Sequence, residues 1–249
     1  MTGRAVKKKL SIPGIARGEA GMRGASDNEG LVRLVAAEAG DYVGGGHRDQ
    51  RVLDAMRRVD RAAFLPPSER WAAYLDEPVS IGHGQTCSQP SMVALMLDKL
   101  RVGPGHRVLE VGSGSGYAAA VASLLCAPDG LVYAAEIVPE LATSGRASCA
   151  AYRIPGQPGA SLLDRLRFIE GDGSAGFPGL APFDRILLSA GVASRSFDES
   201  LLVAQLAVGG ILLYPQARGC LFRITCTPTG LDRESWRGVA FVPLLGRNA

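Results

Sequence analysis

The sequence predicts an α/β fold: a doubly wound, mostly parallel sheet with an antiparallel C-terminal edge, preceded by a helical subregion. Three observations carry that expectation. From Arg107 onward, short apolar runs alternate with helical patterns, and such alternation assembles as a parallel sheet covered on both faces. A glycine-rich turn, Gly112-Ser-Gly114-Ser-Gly116, stands between the first run and the first helical segment that follows it. Apolar residues make up 47% and charged residues 20% of the 249, which suffices for one large core and is far from the composition of a disordered chain.

Residues 1–30 are rich in glycine and basic side chains and lack apolar periodicity, so they read as a disordered basic leader. Residues 31–249 read as a single domain, with 31–100 a helical and loop region and 101–249 the sheet. Over 31–74 the apolar residues keep helical spacing (Leu31, Leu34, Val35, then Val52, Leu53, Met56, Val59), broken at Gly44–Gly46 and at Pro66-Pro67. Residues 76–89 are polar and turn-rich although they lie between helical segments. A helix over 90–100 opens with proline in its first turn. Strands are expected at 107–111, 131–136, 167–170, 184–189 and 210–214, with helices at 115–126, 139–152 and 198–206. Residues 220–227 and 236–244 read as two strands of an antiparallel edge, joined by a turn near Thr229-Gly230.

The formal charge of +3 is carried by residues 1–30, which hold six basic and three acidic side chains; the remainder holds 21 of each. A neutral folded part lacks the basic excess with which nucleic-acid binders displace counterions, so composition gives nucleic acid no support. The longest run free of charge and turn residues is the eleven from Tyr117 to Ala127, well short of the roughly 20 that span a bilayer. Five cysteines without a CxxC pair fit reduced thiols in a cytoplasmic protein, and three scattered histidines suggest no metal site.

The turn at 112–116 falls where a doubly wound sheet binds its ligand, beyond the carboxyl ends of the strands. The dinucleotide pattern GxGxxG needs glycine at 117, where this chain has Tyr117. The observed GxGxG, with Glu110 two residues ahead, suits a ligand without a pyrophosphate. Glu136 ends the second strand of the alternating series, where a carboxylate accepts hydrogen bonds from both hydroxyls of a ribose. Asp172, in Glu170-Gly-Asp-Gly173, follows the next strand within reach of an adenine edge. Separately each has a plain structural reading, as a tight connection or a cap; in order after three strands they describe an adenosine pocket.

The set Glu110-Val-Gly-Ser-Gly-Ser-Gly116, Glu136 and Gly171-Asp-Gly173 resembles the class I S-adenosylmethionine-dependent methyltransferases. More specific segments lie upstream: Ala73-Tyr-Leu-Asp-Glu-Pro78, Ile81-Gly-His-Gly-Gln-Thr-Cys-Ser-Gln-Pro90 and Val93-Ala-Leu-Met96. With Glu136-Ile-Val-Pro-Glu-Leu141, Ala181-Pro-Phe-Asp184 and Phe241-Val-Pro-Leu244, these resemble the protein-L-isoaspartate O-methyltransferase family over about residues 50–245. The resemblance implies S-adenosylmethionine as methyl donor and the free α-carboxylate of L-isoaspartyl residues in proteins and peptides as acceptor, the ester then closing to a succinimide. It implies Ser88 as the active-site residue, and Gln85, Thr86 and Ser88 folded over the methionine end of the donor. It further places Glu110 near the donor's amino group and Gly112 and Gly114 under the nucleoside, with Gly116, Glu136, Gly171 and Asp172 completing the cofactor-binding set. An ionised carboxylate needs alignment more than a base, so the Ser88 hydroxyl is expected to hydrogen-bond the acceptor carboxylate or its neighbouring amide. Capping the helix at Pro90 is its structural alternative. His83 reads as a loop residue and Cys87 as packing.

Two segments depart from the family pattern. Leu188-Ser-Ala-Gly-Val192 stands where an alanine-rich run followed by proline is usual, and Pro215-Gln-Ala-Arg-Gly219 lacks a Val-Gly continuation. The competing functions are a peptide-aspartate methyltransferase tailoring a biosynthetic precursor, for which a longer C-terminal region is expected, and a non-catalytic S-adenosylmethionine-binding adaptor. The chain is expected to act as a cytoplasmic monomer, without nucleic acid, membrane or metal.

Overall fold

The structure, a computed structural model, describes residues 24–37, 49–193 and 196–249. Helices α1 (Asn28–Ala37), α2 (Gln50–Arg57) and α3 (Pro90–Leu100) flank a two-stranded antiparallel hairpin, β1 (Val79–Gly82) and β2 (Gln85–Cys87). The sheet proper then follows: β3 (Arg107–Val111), α4 (Tyr117–Leu125), β4 (Leu131–Glu136), α5 (Pro139–Ala151), β5 (Leu166–Glu170), β6 (Phe183–Leu188), α6 (Ser200–Val203), β7 (Leu206–Pro215), β8 (Arg218–Thr227) and β9 (Gly230–Ala240). Strand order is β5-β4-β3-β6-β7-β8-β9. The first five are parallel neighbours, and β8 and β9 add the antiparallel edge.

Period-2 alternation along the central strands builds a core on each face. Val108, Val132, Ala134, Leu187, Ile211 and Leu213 join one core with residues of α2, α3, α4 and α5. Leu109, Val111, Ala135, Ile186, Leu188 and Leu212 join the other, closed by Leu202 of α6 and by Phe177 and Phe197 from the loops. The sheet is therefore doubly covered, as the pattern predicts. Among the described residues, no helix is long and apolar enough to cross a membrane.

Several boundaries differ from the sequence expectation. The leader expected over 1–30 lies outside the described residues up to 23, but 24–30 are docked. The Ala25 N–H donates to Tyr74 O (3.0 Å), and Asp27 supplies a carboxylate to the Gly30 N–H (2.8 Å), so α1 starts at Asn28. The Gly44–Gly46 break lies outside the described residues. Residues 76–89 contain the hairpin β1–β2, turned by Gly82, His83 and Gly84, all at positive φ. The helix expected over 198–206 shrinks to α6 because β7 takes over from Leu206. The last strand runs from Gly230 to Ala240 rather than 236–244: its first half, Asp232-Arg-Glu-Ser235, is polar on both faces at an exposed edge and shows no apolar signal, and from Phe241 the chain bonds Ala217 and Gly191 instead.

Candidate active site

The site lies at the carboxyl ends of β3, β4, β5 and β6, where strand order reverses between β3 and β6, the expected position for a ligand in an open sheet. Two adjoining clefts of about 490 and 450 Å3, open to solvent, share Thr86, Gly112, Gly114 and Ser189 as walls.

The first cleft is lined by Gln85, Thr86, Gly112, Gly114, Glu136, Ile137, Gly171 and Gly173, with Val242, Pro243, Leu244 and Leu245 as its far wall. Glu136, buried at the end of β4, accepts from the N–H of Gly114 (2.8 Å) and of Val138 (3.0 Å), which ties the glycine turn to the start of α5. Its remaining lone pairs suit a vicinal diol. The turn is shaped by close neighbours on two sides. A Cβ on Gly114 would lie 3.0 Å from Ile81 Cδ1, so β1 rests on the turn as a cover. A Cβ on Gly116 would meet Cys149 Sγ at 3.2 Å, Phe168 Cζ at 3.2 Å and the Gly145 carbonyl at 3.3 Å. Gly116 thus packs against α5 and lines neither cleft.

The second cleft is lined by Thr86, Cys87, Ser88, Met96, Glu110, Ser113, Tyr117 and Ser189, among others. Glu110 is 2% exposed. One carboxylate oxygen accepts from the Ser189 hydroxyl at 2.5 Å, and the other is buried with no partner. Burial pushes its pKa up to about 7 against the pull of the Ser189 hydrogen bond, and repulsion from Glu136 adds to the rise. The Ser113 hydroxyl is likewise buried without a partner. Native proteins pair their buried polar atoms, so an acceptor and a hydroxyl left open on one wall mark a place for a cationic, hydrogen-bonding ligand group.

Ser88 reaches this cleft from the loop between β2 and α3. It is not the cap of α3: Gln89 occupies the N-cap and its side chain makes no capping bond there, while Asp76 accepts from the Ser91 N–H (2.8 Å) and from Gln89 Nε2 (3.0 Å). That leaves the Ser88 hydroxyl for the cleft.

Asp172, like Gly116, stands outside both clefts. Its oxygens accept from the N–H of Ser174 (2.9 Å) and of Arg247 (2.9 Å), which fastens residues 246–248 to the β5 loop. Residues missed from sequence are Ser113, Ser189, Asp76 and Arg61. Ser189 could have been found, since it follows β6 beside the end of β3 at the reversal of strand order; nothing in the sequence marks an arginine for burial.

The sequence profile of the protein-L-isoaspartate(D-aspartate) O-methyltransferase family matches residues 43–249. A Myxococcus xanthus protein-L-isoaspartate O-methyltransferase is 43% identical over 209 residues, 81% of this chain and 92% of the relative. One from Methanopyrus kandleri is 43% identical over 204 residues, 80% of this chain and 85% of the relative. Among solved structures, a Plasmodium falciparum protein described as a protein-L-isoaspartate O-methyltransferase, in complex with S-adenosyl-L-homocysteine, superposes with a TM-score of 0.74 at 26% identity, covering 90% of this chain and all of that one. The chain belongs to the protein-L-isoaspartate(D-aspartate) O-methyltransferase family.

Proposed function

We infer that this chain methylates the free α-carboxylate of L-isoaspartyl residues in proteins and peptides, with S-adenosylmethionine as donor, so that the ester can close to a succinimide. The observation that carries the reading is the second cleft, walled at once by the unpartnered oxygen of Glu110 and by the Thr86–Ser88 loop. S-adenosylmethionine supplies a sulfonium-bound methyl group that an ionised carboxylate can attack directly.

The residues present fit this donor. Glu110 and Ser113 take its amino-acid end through the two open polar atoms, while Glu136 takes the ribose hydroxyls and the main chain at Gly171 and Gly173 lies along the base. Gly112 and Gly114 let the turn approach, and Ile81 with Gln85 and Thr86 covers it and excludes water. Gly116 shapes the turn, and Asp172 holds the 242–248 segment that forms the far wall. Ser88 donates its hydroxyl to the acceptor carboxylate or the adjoining amide and sets the line of attack; acceptance of a hydrogen bond by an anion strengthens it. No side chain has to remove a proton, because the acceptor is ionised at neutral pH. We place the protein in the cytoplasm as a monomer acting on damaged polypeptides, not on nucleic acid or membranes; the five free thiols and the balanced charge of residues 31–249 support that setting.

The test is transfer from labelled S-adenosylmethionine to paired peptides, one with L-isoaspartate and one with normal aspartate. Label in the isoaspartyl peptide alone is expected. Binding of S-adenosylhomocysteine without transfer to either peptide would point to the adaptor reading.

A further inference from the structure

Arg61 is fully buried and makes no ion pair among the described residues. Its guanidinium instead donates to five main-chain carbonyls. Nη1 reaches Ala73 and Leu75 (3.1 Å each), and Nη2 reaches Glu77 (2.8 Å), Cys87 (3.3 Å) and Ser88 (3.1 Å); Nε is buried without a partner. The carboxylate next to it in sequence, Asp60, is taken up by the Ala62 N–H and the Tyr74 hydroxyl.

An arginine keeps its charge inside a protein, and a buried cation without an anion is costly to hold. Gathering five carbonyls secures the chain on both sides of the hairpin and sets the guanidinium charge behind the Ser88 loop. That charge reaches the cleft: burial raises the pKa of the Tyr117 hydroxyl on its wall, Arg61 opposes the rise, and the individually smaller effects of Cys87, Asp60 and Tyr152 add to it. Asp76 clamps the chain on the other side of Ser88, through Gln89 and Ser91. We propose that Arg61 is a positioning residue for the acceptor carboxylate, fixing the main chain at Cys87 and Ser88 and holding a positive field where the anionic acceptor arrives. This rests on the reading of the acceptor as an isoaspartyl carboxylate.

The planar fork that spans five carbonyls is particular to arginine, whereas lysine keeps the charge with three donors at one point. Arg61→Lys therefore tests the fork while sparing the fold from the loss of a buried charge, which Arg61→Met would add. The experiment compares the full chain, Arg61→Lys, Ser88→Ala and the double variant in methylation of an isoaspartyl peptide, with S-adenosylhomocysteine affinity measured by calorimetry. Arg61→Lys is expected to raise the KM of the peptide about tenfold, as displacement of a positioning group does, and to leave S-adenosylhomocysteine affinity within about twofold. In the Ser88→Ala background its effect should shrink to less than about twofold, since the two act as one unit. The same factor in both backgrounds, or a fall in kcat with KM unchanged, would overturn the proposal, the latter being what a smaller folded fraction produces. If the unsubstituted protein binds S-adenosylhomocysteine but leaves the peptide unmethylated, the substrate reading fails on its own. Amide hydrogen exchange at 86–89 then decides Arg61: faster exchange in Arg61→Lys supports its hold on the loop, and unchanged exchange refutes it.

Discussion

Glu110 is neutral at a pH where an exposed glutamate has lost its proton, because it is buried beside Glu136 with one oxygen unpartnered. A carboxyl whose folded-state pKa stands above its unfolded value favours folding when protonated. Its penalty is absent below the ordinary pKa of 4.5, grows as pH rises, and is complete above about 7. That rise corresponds to a cost on the order of 3 kcal/mol at alkaline pH, which a cationic amino group on the donor would offset. Glu110→Gln should therefore raise the Tm of the ligand-free protein at about pH 8 and change it little at about pH 5. The same substitution should weaken S-adenosylhomocysteine binding and abolish its tightening between about pH 6 and pH 7.5. Calorimetric titration across that range checks both; a Tm difference independent of pH would speak against Glu110 as the titrating group. Ser88 calls for a different outcome. Its hydroxyl is free of helix capping, so Ser88→Ala should keep its Tm while kcat/KM for the isoaspartyl peptide falls about ten- to a hundredfold. Full turnover in this variant would remove Ser88 from the positioning of the acceptor.

Helix α5 shows how an element far from the chemistry sets the site. A Cβ on Gly145 would lie 2.8 Å from the Gly114 carbonyl oxygen and 3.2 Å from the Ser115 backbone, so the helix approaches the glycine turn backbone to backbone. Glycine inside a helix costs about 1 kcal/mol relative to alanine, and here that cost permits the contact. Gly145→Ala gains the propensity but pushes the turn, with a net loss of about 1–3 kcal/mol and weaker S-adenosylhomocysteine binding. Thermal denaturation with and without S-adenosylhomocysteine checks this, and a more stable variant with normal affinity would contradict it. The same contact explains what could be read in advance. Gly112, Gly114, Glu110, Glu136 and the α3 boundaries are local patterns; the four residues line the two clefts, and α3 runs over 90–100 as its pattern predicts. The β1–β2 hairpin was hidden because its strands have four and three residues around a Gly-His-Gly tip, too short for alternation to register. Gly116 reads in sequence as a ligand glycine, and Gly145 carries no local signal; their contact appears only in the packing of α5 on the turn. Arg61 and Asp76 act by closing contacts across 12 to 27 residues of chain, which no local pattern encodes.

At the scale of the whole molecule, the C-terminal segment ties opposite ends of the sheet across the site. The Phe241 N–H donates to Ala217 O (2.9 Å) beyond β7, and Leu244 bonds Gly191 O (2.7 Å) after β6. Leu244 and Leu245 then wall the first cleft, and Arg247 and Asn248 fasten to Asp172 and Ser174 after β5. The anchor at Asp172 is selective for the ionised carboxyl: burial raises its pKa, but the bonds from Ser174 and Arg247 outweigh this and the net shift is downward. A lowered folded-state value means that the contribution is present above the ordinary 3.8 and lost as pH falls through the folded-state value, so the segment is held throughout the neutral range. A nucleoside in the first cleft touches both the sheet and this segment, and a ligand that binds only the closed arrangement stabilises it. S-adenosylhomocysteine should accordingly slow amide exchange at 242–248 together with 112–116. Asp172→Ala should speed exchange at 244–248 in the ligand-free protein and weaken S-adenosylhomocysteine several-fold, because the cleft then has to order its own wall on binding. Hydrogen-exchange mass spectrometry with and without S-adenosylhomocysteine separates this from a direct adenine contact. Loss of affinity with unchanged exchange at 244–248 would assign Asp172 to the base, and loss accompanied by faster exchange assigns it to the wall.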